Sequence, residues 1–87
     1  MEFEYDPVKS HINKEKHGID FLDAQVLWLD EDRIEVPAKS DTEVCHGVIA
    51  KSDDKIWVAF CTMRGTAIRI ISVRRARENE ERAYYDS

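Results

Sequence analysis

The sequence predicts an α+β fold with two N-terminal helices, an antiparallel sheet of about four strands and a C-terminal helix. Helix-capping residues flank two segments before residue 30, and β-branched residues form short runs bounded by turn residues after residue 33. The 87 residues are 43% hydrophobic and 36% charged, which suits one soluble domain with a single core. We therefore predict one domain over residues 1–87.

The first eighteen residues predict a short strand or extended arm followed by a helix. Phe3 and Tyr5 alternate with acidic residues. The helix should begin at Asp6-Pro7, because Asp is a favoured N-cap and Pro needs no N–H partner at the first helical position. It should run to about residues 16–17 and end at Gly18, which can adopt the left-handed conformation that follows a helix.

A second helix is predicted from Asp20 to Trp28. Asp20 followed by Asp23 resembles a capping box with Asp in place of Glu. Its apolar stripe would consist of Phe21, Ala24, Leu27 and Trp28.

The remainder of the chain predicts strands and then a polar helix. The strands are expected at residues 34–37, 45–50, 56–62 and 67–73, with hairpin turns at 52–55 and 63–66. Residues 76–86 predict the C-terminal helix, in which Glu80 and Tyr84 share a face at i, i+4 spacing.

The first hairpin predicts the placement of the two cysteines. If residues 52 and 55 pair, His46 lies opposite Cys61, and the side chains of Cys45 and Cys61 point to opposite faces. We therefore expect both thiols to stay reduced, since a disulfide needs Cβ atoms about 3.5–4.5 Å apart. The His46–Cys61 pair has the geometry of a thiolate–imidazole pair, although simple packing is the commoner reason for such neighbours.

The second hairpin predicts which arginines share a face. Pairing Thr62 with Ala67 puts Arg69 opposite Phe60. Arg74 then has the opposite parity, so it joins Arg69 only if the strand bulges or ends between them. An arginine among apolar residues needs a partner or a cleft edge, because an unpaired buried charge is strongly destabilising.

Positive charge is concentrated in one segment of an acidic chain. The net charge is −5, and residues 20–43 hold eight acidic residues against two basic ones. Between residues 64 and 77 there are five arginines and no acid, namely Arg64, Arg69, Arg74, Arg75 and Arg77. Because arginine binds phosphate bidentately, the segment predicts a local anion site. A solvated strand edge paired with nearby acids is the alternative.

Several classes of protein are not indicated. No apolar run reaches membrane-spanning length, and the N-terminus lacks the features of a signal peptide, so we predict a cytoplasmic protein. The two cysteines have no C-x-x-C spacing, the acidic residues 30–43 form no convincing metal site, and three glycines provide no phosphate-binding loop. We predict no metal and no cofactor.

Elements at both ends of the chain resemble one known family. They are Phe3-Glu4-Tyr5-Asp6-Pro7-x-Lys9, Asn13-x-x-Lys16-His17-Gly18-Ile19-x-Phe21-x-x-Ala24, Thr62-x-Arg64-Gly65, Arg69-Ile70-Ile71-Ser72-x-Arg74-Arg75-Ala76 and Glu80-x-x-x-Tyr84. In this order they resemble the BrnT family, ribonuclease toxins of bacterial type II toxin–antitoxin systems with a RelE-like fold. The chain departs from the family in two places: Val44-Cys45 replaces a common Glu-Arg pair, and Cys61-Thr62-Met63-Arg64 replaces a frequent Tyr-Thr-Glu-Arg.

The resemblance implies a metal-independent ribonuclease that cleaves RNA and inhibits translation. Its partner would be an antitoxin with a ribbon-helix-helix DNA-binding domain, and operator DNA would be bound only through that complex. A catalytically weak or inactive protein-binding module that mainly engages its antitoxin is the alternative.

The predicted site combines an arginine clamp with acid–base groups. Arg64, Arg69 and Arg74 would hold the phosphate. His17 or Glu80 would act as acid or base, and Tyr84 would donate a hydrogen bond or stack on a base. Lys16 and Arg75 would contact RNA. For His17 and Lys16, stabilisation of the last helical turn is the alternative role.

Overall fold

A computed structural model describes residues 1–38 and 45–87 of the chain. Its elements follow the order β1, α1, a 3₁₀ helix, β2 to β5 and α2. Their bounds are Glu2–Glu4 for β1, Pro7–His17 for α1, Asp23–Leu29 for the 3₁₀ helix, Ile34–Ala38 for β2, Cys45–Ser52 for β3, Lys55–Arg64 for β4, Ala67–Arg75 for β5 and Glu78–Asp86 for α2.

The predicted fold is wrong in its sheet. Five strands are present in the order β1-β5-β4-β3-β2, and the sheet is mixed because β1 runs parallel to β5. Two partly buried rings hold β1 in place. Phe3 of the strand packs edge-on against Trp28 at 5.1 Å between ring centroids, and Tyr5, the residue after the strand, packs against Phe21 at 5.8 Å. A three-residue strand gives almost no local signal, so burial of these two rings decides its position.

The predicted second α-helix is also wrong, because residues 23–29 form a 3₁₀ helix. Phe21, Ala24 and Leu27 are all buried. Their spacing of three residues lines one side of a helix with three residues per turn, and their burial against the sheet favours that winding. The predicted capping box is also wrong, because the N-cap of the 3₁₀ helix is Leu22, which makes no side-chain capping hydrogen bond. Asp20 lies before this cap, where its carboxylate accepts a hydrogen bond from the Asp23 N–H at 2.7 Å.

The prediction for α1 is confirmed at both ends. The Asp6 side chain accepts a hydrogen bond from the Val8 N–H at 2.9 Å, and Pro7 is the first helical residue. Gly18 ends the helix with φ of 81°, where its N–H donates to the Lys14 carbonyl. Glycine adopts this conformation most readily, because it has no Cβ atom to clash with the backbone.

Helices lie on both faces of the sheet. Phe21, Leu27 and Trp28 bury against one face, which we call the α1 face, together with Val48, Ala59 and Ile70. Tyr84 of α2 packs on the opposite face, the α2 face, with Ile49, Ile56 and Val58. This second layer explains why strands β3 to β5 carry apolar residues on both sides.

Asn13 anchors α1 to β5. Its buried side-chain amide donates to the carbonyl oxygens of Ile19, at 2.8 Å, and Val73, at 2.9 Å. Its oxygen also accepts from the Val73 N–H at 3.1 Å. The side chain therefore occupies the hydrogen-bonding position that a neighbouring strand would take along β5.

The predicted register is confirmed in the first hairpin and wrong in the second. Ser52 pairs with Lys55, and His46 pairs with Cys61. The β4–β5 hairpin instead has a two-residue loop, so Arg64 pairs with Ala67. Arg69 therefore lies opposite Thr62, not Phe60.

A β-bulge in β5 sets the faces of the arginines. Cys61 pairs with Ile70, but the preceding residue Phe60 pairs with Ser72, which leaves Ile71 as the extra residue. One extra residue reverses the alternation of all side chains beyond it. Val73 consequently joins Ile70 on the α1 face.

Candidate active site

Three arginines lie on the α2 face of strands β4 and β5. Arg64 and Thr62 alternate with Met63 along β4, and Arg69 lies opposite Thr62. The bulge brings Arg74 to the same face, where its guanidinium lies 5.1 Å from the ring centre of Phe60. The condition attached to the sequence prediction, a bulge between Arg69 and Arg74, is therefore met.

Glu4 of β1 lies between two of these arginines. The parallel pairing puts Glu4 beside Arg69. Its Oε1 is 3.5 Å from Arg69 Nη1 and 4.0 Å from Arg64 Nε. The Glu4 side chain is 41% exposed, and those of Arg69 and Arg64 are 31% and 54% exposed. A ligand approaching this face can thus reach all three groups.

Arg74 is held by Glu80 of α2. The two side chains form a bidentate pair with N–O distances of 2.8 and 2.9 Å. Glu80 also accepts from the Arg77 N–H at 2.7 Å, which closes the capping box of α2. The hydrogen bonds from Arg74 lower the pKa of Glu80, and the same contact raises the pKa of Arg74. Both groups remain charged at neutral pH.

Tyr84 is bound to Asp30 instead of facing the arginines. Its hydroxyl donates to Asp30 Oδ2 at 2.6 Å, and this bond raises the pKa of Tyr84. The same carboxylate oxygen accepts from the Lys51 N–H at 2.8 Å. Asp30 thereby connects the end of the 3₁₀ helix to β3 and α2. The ring of Tyr84 is buried in the apolar layer below α2.

His17 lies in a separate groove on the α1 side. The groove has a volume of about 680 Å³ and is lined by residues that include His17, Lys14, Lys55 and Arg75. Arg75 stacks over Trp57, with 5.5 Å from its guanidinium carbon to the ring centre. Lys14 Nζ donates to the Gly18 carbonyl at 3.4 Å, as expected of a cation at a helix end. Lys16 is exposed on α1 and does not line this groove.

The structure therefore divides the predicted site. Arg64, Arg69, Arg74 and Glu80 lie together on the α2 face, while His17 and Arg75 lie on the other side of the sheet. Arg69 and Arg75 are six residues apart on β5, roughly 20 Å at the rise of a strand. The roles predicted for His17, Lys16, Arg75 and Tyr84 stay predictions.

The pair formed by His46 and Cys61 has the predicted register but not the electrostatics of a reactive thiol. Cys61 is fully buried, and burial raises the pKa of its thiol to about 12. The thiol is therefore protonated at neutral pH, which supports packing over nucleophilic chemistry. Both cysteines are free.

Two contacts at these sites were missed from the sequence. The contact of Glu4 with Arg69 depends on the pairing of β1 with β5, which the sequence does not indicate. The contact of Asp30 with Tyr84 joins residues 54 positions apart, and no short pattern predicts it. Within residues 1–38 and 45–87, no group of three or more His, Cys, Asp or Glu side chains could hold a metal. Asp41 and Glu43 lie outside the described residues.

Comparison with known protein families identifies the family of this chain. A family model described as the ribonuclease toxin BrnT of type II toxin–antitoxin systems matches residues 5–80. The chain belongs to the BrnT family. The matched range includes the three arginines of the α2 face and Glu80, whereas Glu4 and Tyr84 lie just beyond its ends. No curated protein matches the chain.

The departures from the usual BrnT pattern are now placed, except for Val44, which lies outside the described residues. Cys61, where the family often has tyrosine, is fully buried on the α1 face. Met63, where it often has glutamate, is 53% exposed near the hairpin end. In the part of this BrnT chain that the structure describes, no helix is long and apolar enough to cross a membrane.

Proposed function

We propose that this BrnT-family chain is a metal-independent endoribonuclease that cleaves RNA in the cytoplasm and so inhibits translation. The observation that carries the proposal is the presence of Arg64, Arg69 and Arg74 on one face of β4 and β5. A guanidinium group is permanently charged and can donate two parallel hydrogen bonds to two oxygens of one phosphate. Such a face therefore suits the binding of a scissile phosphate.

In this mechanism the arginines supply most of the catalysis. Attack of the ribose 2′-oxygen on phosphorus builds negative charge on the phosphate oxygens, and fixed cations stabilise that charge most strongly in the transition state. Arg64 and Arg69 flank the open part of the face. Arg74 is oriented by its bidentate pair with Glu80, which limits the reorganisation needed when the phosphate binds.

The contacts of Glu80 suit a positioning role. A carboxylate that accepts three short hydrogen bonds has little remaining basicity, and its lowered pKa makes it a poor proton donor at neutral pH. We therefore assign Glu80 to holding Arg74 and the start of α2. Acid–base chemistry is left to other groups.

The proposal is tested by cleavage of a labelled RNA in excess EDTA. The wild-type protein should cleave under these conditions. Arg64→Ala and Arg69→Ala should each reduce the rate about 10²–10³-fold, by analogy with loss of a single oxyanion donor. Arg77→Ala is the matched control, because its side chain is exposed at the start of α2 and should leave the rate near wild type. Equal rates in all variants, or loss of cleavage in EDTA, would contradict the mechanism.

The proposed partner is an antitoxin with a ribbon-helix-helix domain. Membership of a type II toxin–antitoxin family supports a protein antitoxin. Leu22 and Leu29, at either end of the 3₁₀ helix, are 62% and 78% exposed and offer apolar surface to a protein. Co-expression with the adjacent short reading frame should restore growth and yield a stable complex. Arg69→Ala should bind that antitoxin as well as the wild type does.

A non-cleaving protein that mainly binds its antitoxin is the second candidate. It is favoured by Cys61 and Met63, which replace polar residues common in the family with side chains that neither donate strongly nor carry charge. The EDTA assay separates the two functions. A chain that binds antitoxin with wild-type stability and cleaves no RNA would establish this second function.

A further inference from the structure

We propose that Glu4 acts as the general base that removes the proton from the ribose 2′-hydroxyl. This inference rests on the proposed ribonuclease function and adds a catalytic residue to it. Among the residues that the structure describes, the Glu4 carboxylate contacts both Arg64 and Arg69.

The position of Glu4 is determined by β1. Phe3, the preceding residue, points to the α1 face and packs against Trp28 at 5.1 Å. Alternation along the strand then directs Glu4 to the α2 face. Parallel pairing aligns Glu4 with Arg69 and so brings a carboxylate to the predicted phosphate position.

The contacts of Glu4 with its arginines are longer than the contact of Glu80 with Arg74. Its oxygen lies 3.5 and 4.0 Å from the two arginine nitrogens, longer than the roughly 2.7–2.9 Å of a charge-assisted hydrogen bond. Glu80, in contrast, is bound to Arg74 at 2.8 and 2.9 Å. Glu4 therefore keeps lone pairs available for a hydroxyl proton. His17, the other acid–base group predicted from the sequence, lies across the sheet.

The proposed step is a transfer of the phosphoryl group from the 5′-oxygen to the 2′-oxygen. Glu4 takes the proton of the 2′-hydroxyl and becomes a carboxylic acid while the 2′-oxygen forms a bond to phosphorus. The bond between phosphorus and the 5′-oxygen breaks, which produces a 2′,3′-cyclic phosphate. The 5′-oxygen takes a proton from water, and the hydroxide formed recovers the proton from Glu4. Arg64 and Arg69 stabilise the phosphate oxygens throughout.

Two other roles of Glu4 predict different effects of neutralising its charge. If Glu4 only occupied Arg64 and Arg69 until RNA displaced it, neutralising Glu4 would free the arginines and speed cleavage. If Glu4 only joined β1 to the sheet, neutralising it would lower stability without changing the rate per folded molecule. A general base contributes about 10²–10⁴-fold to the rate, so its removal slows cleavage by that factor.

The experiment measures single-turnover cleavage of a labelled RNA in EDTA by Glu4→Gln and Glu4→Asp. Glu2→Gln is the matched control, because it changes the same charge on the same strand two residues away. Glu4→Gln should be about 10²–10⁴-fold slower than wild type, and Glu4→Asp should recover part of the loss. Glu2→Gln should cleave at the wild-type rate. Thermal unfolding and antitoxin binding check that each variant is folded.

The pH dependence supplies a readout that a structural role would not change. The charged groups facing Glu4 are Arg69 from β5 and Arg64 from β4, with Glu2 on its own strand. The acidic limb of the wild-type profile of kcat/KM should be absent in Glu4→Gln. Faster or unchanged cleavage by folded Glu4→Gln, with active wild-type protein, would overturn the role of Glu4 alone. An inactive wild-type protein would overturn the ribonuclease function and this role together.

Discussion

The charge of the Glu80 side chain contributes to the stability of the fold. Its pKa is lowered in the folded protein, chiefly by the hydrogen bonds from Arg74. A depressed carboxylate pKa contributes stability above the unfolded-state pKa, about 4.3 for glutamate, and that stability is lost as the pH falls through the folded-state value.

We expect Glu80→Gln to lower the free energy of unfolding by about 1.5–3 kcal/mol at pH 7, because it removes hydrogen bonds between charged groups. Glutamine can still accept the hydrogen bond from the N-cap N–H at this capping-box position. The loss of stability therefore measures the ion pair with Arg74. The difference from wild type should shrink as the pH falls below about 4.3. Urea unfolding at pH 7 and pH 3 measures it, with the exposed Glu78→Gln as control. A constant difference across this range would argue against the ion pair as its source.

Tyr84 provides a second test of a single side chain. Its hydroxyl bond to Asp30 joins α2 to the 3₁₀ helix, so Tyr84→Phe should destabilise the fold by about 1.5–3 kcal/mol. The cleavage rate per folded molecule should not change. Tyr85→Phe is the matched control, since Tyr85 is 61% exposed. A stable Tyr84→Phe protein with lost cleavage would instead support the catalytic role that the sequence predicts for this hydroxyl.

The packing of α1 on β5 depends on the three hydrogen bonds of Asn13. Asn13→Ala should lower the free energy of unfolding by about 2–4 kcal/mol, because it removes these bonds and leaves buried groups of Ile19 and Val73 without partners. Asn79→Ala, at an exposed position of α2, is the control. Denaturant unfolding measures both. A loss below about 0.5 kcal/mol, typical of surface substitutions, would show that another contact anchors α1.

The bulge in β5 allows β5 and α2 to contribute to the same arginine face. If β5 alternated regularly through Ile71, with no bulge, Arg74 would share the α1 face with Ile70 and could not meet Glu80 of α2. The same change of parity buries Val73 below α1, so the requirements of the core and of the arginine face are satisfied together. Sequence periodicity indicated that a bulge was needed for a shared face, but it did not indicate that one is present.

Charge over the entire surface limits what the isolated chain can bind. A protein with net charge −5 and a localised arginine face should bind nucleic acid weakly. If the arginines engage about three phosphates of single-stranded RNA, the logarithm of the affinity should fall with the logarithm of salt concentration at a slope near −2. Titrations at several salt concentrations measure this. A much steeper slope would indicate a larger basic surface.

Binding to DNA should require the antitoxin. We expect the isolated chain to give no shift of operator DNA at physiological salt, and the toxin–antitoxin complex to shift it. An electrophoretic mobility assay with both samples is the measurement. Tight, sequence-specific binding by the isolated chain would contradict the assignment of DNA recognition to the antitoxin.

Local signals in the sequence were sufficient for several features. The caps at Asp6 and Gly18, the turn at residues 52–55 and the segments of β2 to β5 depend on interactions within a few residues, which short patterns encode directly. The arginine-rich segment and the family motifs were likewise visible, so the family and the candidate phosphate face were predicted.

Tertiary structure alone decided how these pieces meet. The parallel pairing of β1 with β5, the 3₁₀ winding before Asp30 and the bulge at Ile71 depend on which apolar side chains are buried together. Those contacts join residues far apart in the chain, and no short pattern reports them. They bring Arg69 and Arg74 to one face and Glu4 beside Arg69, because the packing of the apolar core determines strand order and register, and these decide which polar groups are neighbours.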